Sequence, residues 1–190
     1  MASHDGPALP AEPLQRILAA AHFAAQHHAE QKRKGVAAEP YINHLIEVAE
    51  LAASSSDVLD VELVMAAFLH DTVEDTGVTR EEVEKHFGAD VASLVMEVTD
   101  DKSLPQAKRK ALQVQTAPRK SPRAQTLKLA DKISNLRSIL SSPPPDWSTQ
   151  RKQEYFKWAY DVIAGLATPN PRLKEEFDRT YARLGELQGK

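Results

Sequence analysis

Residues 69–76 read Leu-His-Asp-Thr-Val-Glu-Asp-Thr, so His70, Asp71, Glu74 and Asp75 fall within six positions directly after the apolar run Val64-Met65-Ala66-Ala67-Phe68-Leu69. A helix that apolar belongs in a core. Burying an ion costs several kcal/mol unless it is paired or metal-bound, so ionisable groups at the mouth of such a helix imply a bound cation or a solvent cleft. Spacing alone also permits a plainer reading, a solvated helix terminus in which Asp and Thr serve as turn residues. Two isolated positions shift the balance. His44 follows Pro40-Tyr41-Ile42-Asn43 at a helix start, and Asp131 interrupts an apolar periodic segment, Lys128-Leu129-Ala130-Asp131-Lys132-Ile133-Ser134-Asn135-Leu136. Each alone is ordinary: a helix-start histidine is usually exposed, and a mid-helix aspartate usually pairs with a nearby lysine. Together they give the order His, His-Asp, Asp on three helices, which can bring two imidazoles and two carboxylates around one divalent ion in the core of a bundle.

Holding such a set in place needs helices, and the composition suits them. Glycine is scarce at 7 of 190 residues, and the prolines cluster rather than spread, as helix interiors require. With 42% hydrophobic and 27% charged residues the chain is globular, and 190 residues fit one domain. The expected class is all-α, a single-domain helical bundle over residues 14–190 behind a flexible leader at 1–13. The absence of cysteine removes disulfide frameworks, thiol nucleophiles and iron–sulfur clusters, leaving histidine and carboxylate as the strong metal ligands. A net charge of -3 advertises neither nucleic acid nor an anionic membrane as partner. With no apolar run of membrane-spanning length and no signal-peptide pattern, the expected compartment is the cytoplasm.

Apolar residues at Leu14, Ile17, Leu18, Ala21 and Ala25 predict a first helix from 14 to about 34, closing on Lys32, Arg33, Lys34 and Gly35. A second runs from about 43 to 53, with a stripe drawn from Leu45, Ile46, Val48, Ala49 and Leu51. Asp60 caps the third. Thr79-Arg80-Glu81-Glu82 fits a capping box with Val78 and Val83 as its staple, Gly88 an αL stop, and Asp90 the cap of the next helix. After a basic segment broken by Pro118 and Pro122, a helix spans about 124–140 and ends at Pro143-Pro144-Pro145. Two more follow, from Ser148 and from Asn170 with Pro171 at its first position. No strand is expected.

The motifs Glu39-Pro40-Tyr41-Ile42-Asn43-His44, residues 69–76 and residues 128–136 resemble the HD-domain metallohydrolases, and among them the hydrolase domain of RelA/SpoT proteins. Val98-Thr99-Asp100-Asp101-Lys102 and Gln153-Glu154-Tyr155-Phe156 are similar to its free-standing form, the metazoan SpoT homologue and bacterial small alarmone hydrolases. The resemblance covers about residues 14–180. It implies Mn²⁺-dependent hydrolysis of the 3′-diphosphate of guanosine tetraphosphate or pentaphosphate, giving GDP or GTP and pyrophosphate. Carried onto this sequence, His44, His70, Asp71 and Asp131 become metal ligands, Glu74 and Asp75 the catalytic acidic pair, and Arg33, Lys34, Asn135 and Tyr155 substrate-facing residues.

Elementary chemistry agrees with these roles. Imidazole plus carboxylate suits Mn²⁺, which lowers the pKa of bound water and offsets charge on the attacked phosphorus. Glu74 and Asp75 lie three and four residues beyond Asp71, so a continuing helical turn projects all three to one side. A polyanionic substrate also needs local cations, for which Arg33 and Lys34 are joined by Lys102, Lys108, Arg109 and Lys110 as candidates. There are departures: Leu45 stands where most relatives have Pro, and Gln106 and Ala107 fall where a relative can carry charge. His22, His27, His28 and His86 match no ligand position; of these, His28 is the one placed to support the Arg33-Lys34 region. The motif leaves open an adenosine alarmone or the 2′-phosphate of NADPH as substrate, and a non-catalytic nucleotide-sensing module as a function of another class.

Overall fold

The protein, described here over residues 12–188 by a computed structural model, is all-α as expected. Among these residues the helices are α1 (Pro13–His27), α2 (Ile42–Ser54), α3 (Val61–Leu69), α4 (Thr72–Thr76), α5 (Arg80–Phe87), α6 (Ala89–Val98), α7 (Gln106–Thr116), α8 (Pro122–Ser141), α9 (Thr149–Ala164) and α10 (Pro171–Ala182), with 3-10 turns at Ala117–Arg119 and Arg183–Gln188. Among the described residues extended pairing is confined to one isolated antiparallel bridge, Lys32 with Pro40. The leader expected at 1–13 lies outside the described residues up to position 11, and Pro13 already opens α1.

α8 is the axis of the bundle. It packs against α2, α3, α6, α9 and α10, and Leu127, Leu129, Ala130, Ile133 and Leu136 are fully buried along it. A helix covered on so many sides also buries polar side chains, each of which needs a partner. Lys128 Nζ donates to the Val98 carbonyl at 2.8 Å, while Gln125 donates to the Lys120 carbonyl and accepts from the Thr168 N–H, both at 2.8 Å. α3 fills the space between α1, α2 and α6, with Met65, Ala66, Ala67 and Leu69 fully buried, as its near-continuous apolar run requires.

Local signals explain most helix ends. Asp60, Ser148 and Asn170 accept from the backbone N–H three residues on, and Thr79 with Glu82 forms the reciprocal capping box. Asp90 does not cap α6: the helix opens at Ala89 behind Gly88, and the Asp90 carboxylate pairs with Arg123 at 2.9 Å instead. Gly88 has φ +90° and ψ 162°, extended rather than αL, in a region open to glycine. The basic segment contains a full helix, α7, which the sequence reading left without structure; none of its residues is buried, so its pattern carries no core stripe.

The larger correction concerns the first helix. α1 stops at His27, seven residues short of the expected end, because residues 31–41 pair with one another: the Arg33 N–H donates to the Glu39 carbonyl and the Tyr41 N–H to the Gln31 carbonyl, both at 2.9 Å. Arg33 and Lys34 therefore ride on a loop. The face of α1 turned to the core is Ala20 and Ala24, while Leu14 and Leu18 are more than half exposed, and Ile46 of α2 is likewise half exposed. Small residues let α1 approach α3 closely, which a leucine stripe would prevent.

Gly35 fixes where this loop lies. A Cβ there would stand 2.1 Å from the Ser142 carbonyl oxygen and 2.5 Å from its Oγ, so the loop is pressed against the end of α8 with room for nothing larger. Gly35→Ala is expected to destabilise the protein by about 1–3 kcal/mol in urea unfolding, the usual range for overpacking; an unchanged midpoint would show that the loop does not bear on α8.

Candidate metal centre and its cleft

Three helices bring the chemistry-bearing residues together. His44 lies in the first turn of α2 and Asp131 at the middle of α8; His70 caps α3, and Asp71 occupies the break before α4, with φ -101° and ψ -4°. One ligand atom each from His44, His70 and Asp131 lie mutually within 4.8 Å. Asp71 is outside that trio, yet its Oδ2 stands 3.6 Å from His44 Nε2 and 3.2 Å from His70 Nε2. Both Nε2 atoms are buried with no hydrogen-bond partner. Donor atoms that converge without bonding one another fit a divalent ion.

The groups behind them fix the orientation. His70 Nδ1 bonds the Ala67 carbonyl at 2.8 Å, and since a carbonyl only accepts, that nitrogen carries hydrogen and Nε2 faces the cluster. His44 Nδ1 bonds Ser134 Oγ at 2.9 Å. Asp131 accepts from Lys132 Nζ at 2.8 Å and from Asn135 Nδ2 at 2.5 Å, and Asp71 from the Tyr41 hydroxyl at 2.6 Å.

Electrostatics point the same way. Burial by itself would keep His70 neutral, but the carboxylates of Asp71 and Asp131 override it and push its pKa up to about 10. Burial likewise opposes ionisation of Asp71 and Asp131, yet both are held well below the usual carboxylate range, Asp71 chiefly by His70 and Asp131 chiefly by Lys132. The centre demands positive charge. Tyr41 is pushed well above the ordinary phenol range by burial and by Asp71, so it stays a neutral donor.

α4 turns the acidic pair toward the same cleft. Glu74 accepts from the Asp100 N–H at 3.1 Å and faces Arg109 at 3.5 Å and Lys102 at 3.9 Å; Asp75 accepts from Gln31 at 2.8 Å and from Lys102. Burial raises the pKa of Glu74, reinforced by Asp71 and Asp100 and opposed by the Asp100 N–H and Lys102. These groups floor a cleft of about 850 Å³ whose wall includes Arg33, Lys34, Lys102, Arg109 and Lys110. Lys108 does not line it. Asn135 and Tyr155 do; Arg33 is tethered to Asn135 and Ser138, both at 3.2 Å. Burial pushes Tyr155 up to about 12, so its hydroxyl remains neutral.

Several residues here were not singled out by the sequence reading. Trp147 lies tilted against Tyr155 at 5.5 Å and carries Arg151 over its ring at 4.6 Å, a pair four residues apart around the start of α9. Gln31 and Tyr41 are tied to His28, which is buried and stacked on Tyr41 at 5.1 Å with Nδ1 2.6 Å from Gln31. His28 thus supports Tyr41 rather than Arg33. The signal for Tyr41 was its place three residues before His44, one helical turn away.

An HD-domain family model matches residues 20–171. The chain is 49% identical over 170 residues to the Homo sapiens guanosine-3′,5′-bis(diphosphate) 3′-pyrophosphohydrolase MESH1, covering 90% of this chain and 95% of that protein. It is 41% identical over 175 residues to the Drosophila melanogaster protein of the same name, covering 92% and 98%. A solved structure described as a metazoan ortholog of SpoT that hydrolyzes ppGpp superposes with TM-score 0.86 at 39% identity, over 95% of this chain and 99% of that one. A family match across most of the described fold, with near-complete coverage of these relatives, makes this chain a member of the HD-domain family in the branch that contains the MESH1 proteins.

Proposed function

We propose that this protein is an Mn²⁺-dependent, cytoplasmic alarmone hydrolase, one domain over residues 14–190, that removes the 3′-diphosphate of guanosine tetraphosphate or pentaphosphate as pyrophosphate and leaves GDP or GTP. The observation that carries this reading is the convergence of two unpartnered buried imidazole nitrogens and two carboxylates beside a second acidic pair, at the floor of a cation-walled cleft. The names of the MESH1 relatives support it. Among the described residues no helix is long and apolar enough to cross a membrane.

In this reading His44, His70, Asp71 and Asp131 hold the ion, which when bound lowers the pKa of water and offsets phosphate charge. Glu74, its pKa raised toward the working range, takes the proton of the attacking water, with Asp75 orienting it. The oxygen of that water joins the phosphorus on the 3′ oxygen; the P–O bond to the ribose breaks, and the ribose oxygen regains a proton. Lys102 and Arg109, now turned toward the acidic pair, and Arg33 and Lys34 on their loop meet the diphosphates. Asn135 and Tyr155 line the substrate side, with the Tyr155 hydroxyl available as a neutral donor.

Pyrophosphate release from guanosine tetraphosphate by purified protein with Mn²⁺ tests the reading, with the adenosine alarmone and NADPH run beside it. A kcat/KM for the guanosine substrate below that for either competitor would reassign the substrate, and failure to release pyrophosphate from any alarmone would end the alarmone reading. Asp131→Ala is expected to lose both ion and turnover, whereas Glu74→Gln should keep the ion and lose about 10²–10⁴ in kcat; wild-type turnover by Glu74→Gln would remove it as the base.

Ion binding should also release protons. In the ion-free protein His70 holds its proton up to about pH 10, and a ligand must shed it, so affinity rises with pH across the neutral range. Titration calorimetry at pH 7.5 in buffers of different ionisation enthalpy reads the released proton directly; equal heats in all buffers would contradict the assignment of His70.

A further inference from the structure

His44 is held from behind by a chain of groups that leads away from the cleft to a second cavity, lined by His44 and Glu47 together. His44 Nδ1 lies 2.9 Å from Ser134 Oγ, and the Ser134 hydroxyl donates onward to Glu47 Oε2 at 2.6 Å. With its one hydrogen committed to a carboxylate, the serine oxygen can only accept from the imidazole. His44 Nδ1 therefore carries hydrogen, and the lone pair of Nε2 is left facing Asp71 and Asp131. The other oxygen of Glu47 accepts from Arg137 at 2.9 Å, and Arg137 reaches Glu176 of α10 at 2.6 Å.

We infer that Ser134 and Glu47 are positioning residues that set the tautomer, orientation and basicity of His44, and through it the affinity of this protein for its divalent ion. The inference rests on the metal reading above and adds residues outside its ligand set. Its geometry is economical: Glu47 is one turn beyond His44 on α2 and Ser134 one turn beyond Asp131 on α8, so two of the three helices that bring the site together are cross-tied by the relay. Ser134 is fully buried, whereas the Glu47 side chain is 31% exposed at the rim of a second cavity of about 150 Å³ that His44 also lines. The Glu47 carboxylate meets water and the Arg137 guanidinium on its outer side, and the serine links it to a ring kept dry. His70 has no such support, because its Nδ1 meets a neutral backbone carbonyl. The two imidazoles thus differ in strength as ligands, with His44 the one the protein tunes.

The test is Mn²⁺ titration of the chelator-stripped full chain, with free ion read by its paramagnetic resonance signal. Ser134→Ala and Glu47→Gln are each expected to weaken Kd by about 10–100-fold, the usual consequence of removing a ligand's outer partner. Because they act in one chain, the double variant should be no weaker than the weaker single variant, and turnover should return when Mn²⁺ is raised to saturation. Circular dichroism and the melting point of the ion-free proteins report the fold separately, and Glu47→Gln, at a partly exposed position, keeps the test open if Ser134→Ala folds poorly. Glu176→Gln, which leaves the relay intact, should bind Mn²⁺ as wild type does. Wild-type affinity in folded Glu47→Gln, or additive losses in the double variant, overturns the relay. His44→Ala separates the two ideas: if it loses the ion while Ser134→Ala and Glu47→Gln do not, only the relay falls, and if it binds as wild type both fall.

Discussion

Two carboxylates, Asp71 and Asp131, are set against two buried imidazoles at the centre of an apolar bundle, and that concentration of charge dictates what surrounds them. Carboxylates so placed cannot be left unpaired at this depth. The protein holds them ionised by surrounding them with His70, Lys132, Asn135 and Tyr41, yet leaves both Nε2 atoms without a hydrogen-bond partner. A divalent ion completes such an arrangement more fully than a proton, because it can accept all the donors at once. The helices serve this end. α3 is apolar so that His70 reaches the core, α8 is covered on several sides so that Asp131 does, and α4 breaks away so that Glu74 and Asp75 face the cleft instead of the ion.

The same arrangement accounts for a cleft lined by both signs of charge in a chain of net charge -3. The acidic floor by itself would repel a polyphosphate. Lys102 and Arg109 neutralise Glu74 and Asp75 directly, while Arg33 is tethered at the opposite wall to Ser138 and Asn135. Cations held close to carboxylates lose little freedom when they turn to phosphate, which keeps the ordering cost of binding low. Trp147 and Tyr155, with ring centroids 5.5 Å apart and planes inclined at 48°, line the same cleft.

Much of this was legible in the sequence because it is local. Capping at Asp60, Thr79 and Asn170 needs only three or four neighbouring residues, and the ligand motifs sit within short runs whose polar members break an apolar pattern. What was not legible depends on distant partners. The early end of α1 follows from backbone pairing of residues 31–41 and from Gly35 against Ser142, which no periodicity records. His44 is buried while its neighbour Ile46 is half exposed, an inversion of hydrophobic expectation, and the partner of the buried imidazole, Ser134, is 90 residues away. α7 escaped notice because none of its residues is buried. Tyr41 and Lys132 stood inside recognised motifs, but their roles depend on which carboxylate each one meets in space.

The arrangement proposed for these side chains is one divalent ion held beside the acidic pair of α4. The most direct measurement is anomalous diffraction at the manganese edge from crystals of the full chain grown with Mn²⁺. An ion held in this way gives a single strong peak within coordination distance, about 2–2.5 Å, of His44 Nε2, His70 Nε2 and both the Asp71 and Asp131 carboxylates, with Glu74 and Asp75 outside that shell. A peak bound by Glu74 and Asp75 in place of the imidazoles, or no peak at this centre under saturating Mn²⁺, would contradict it.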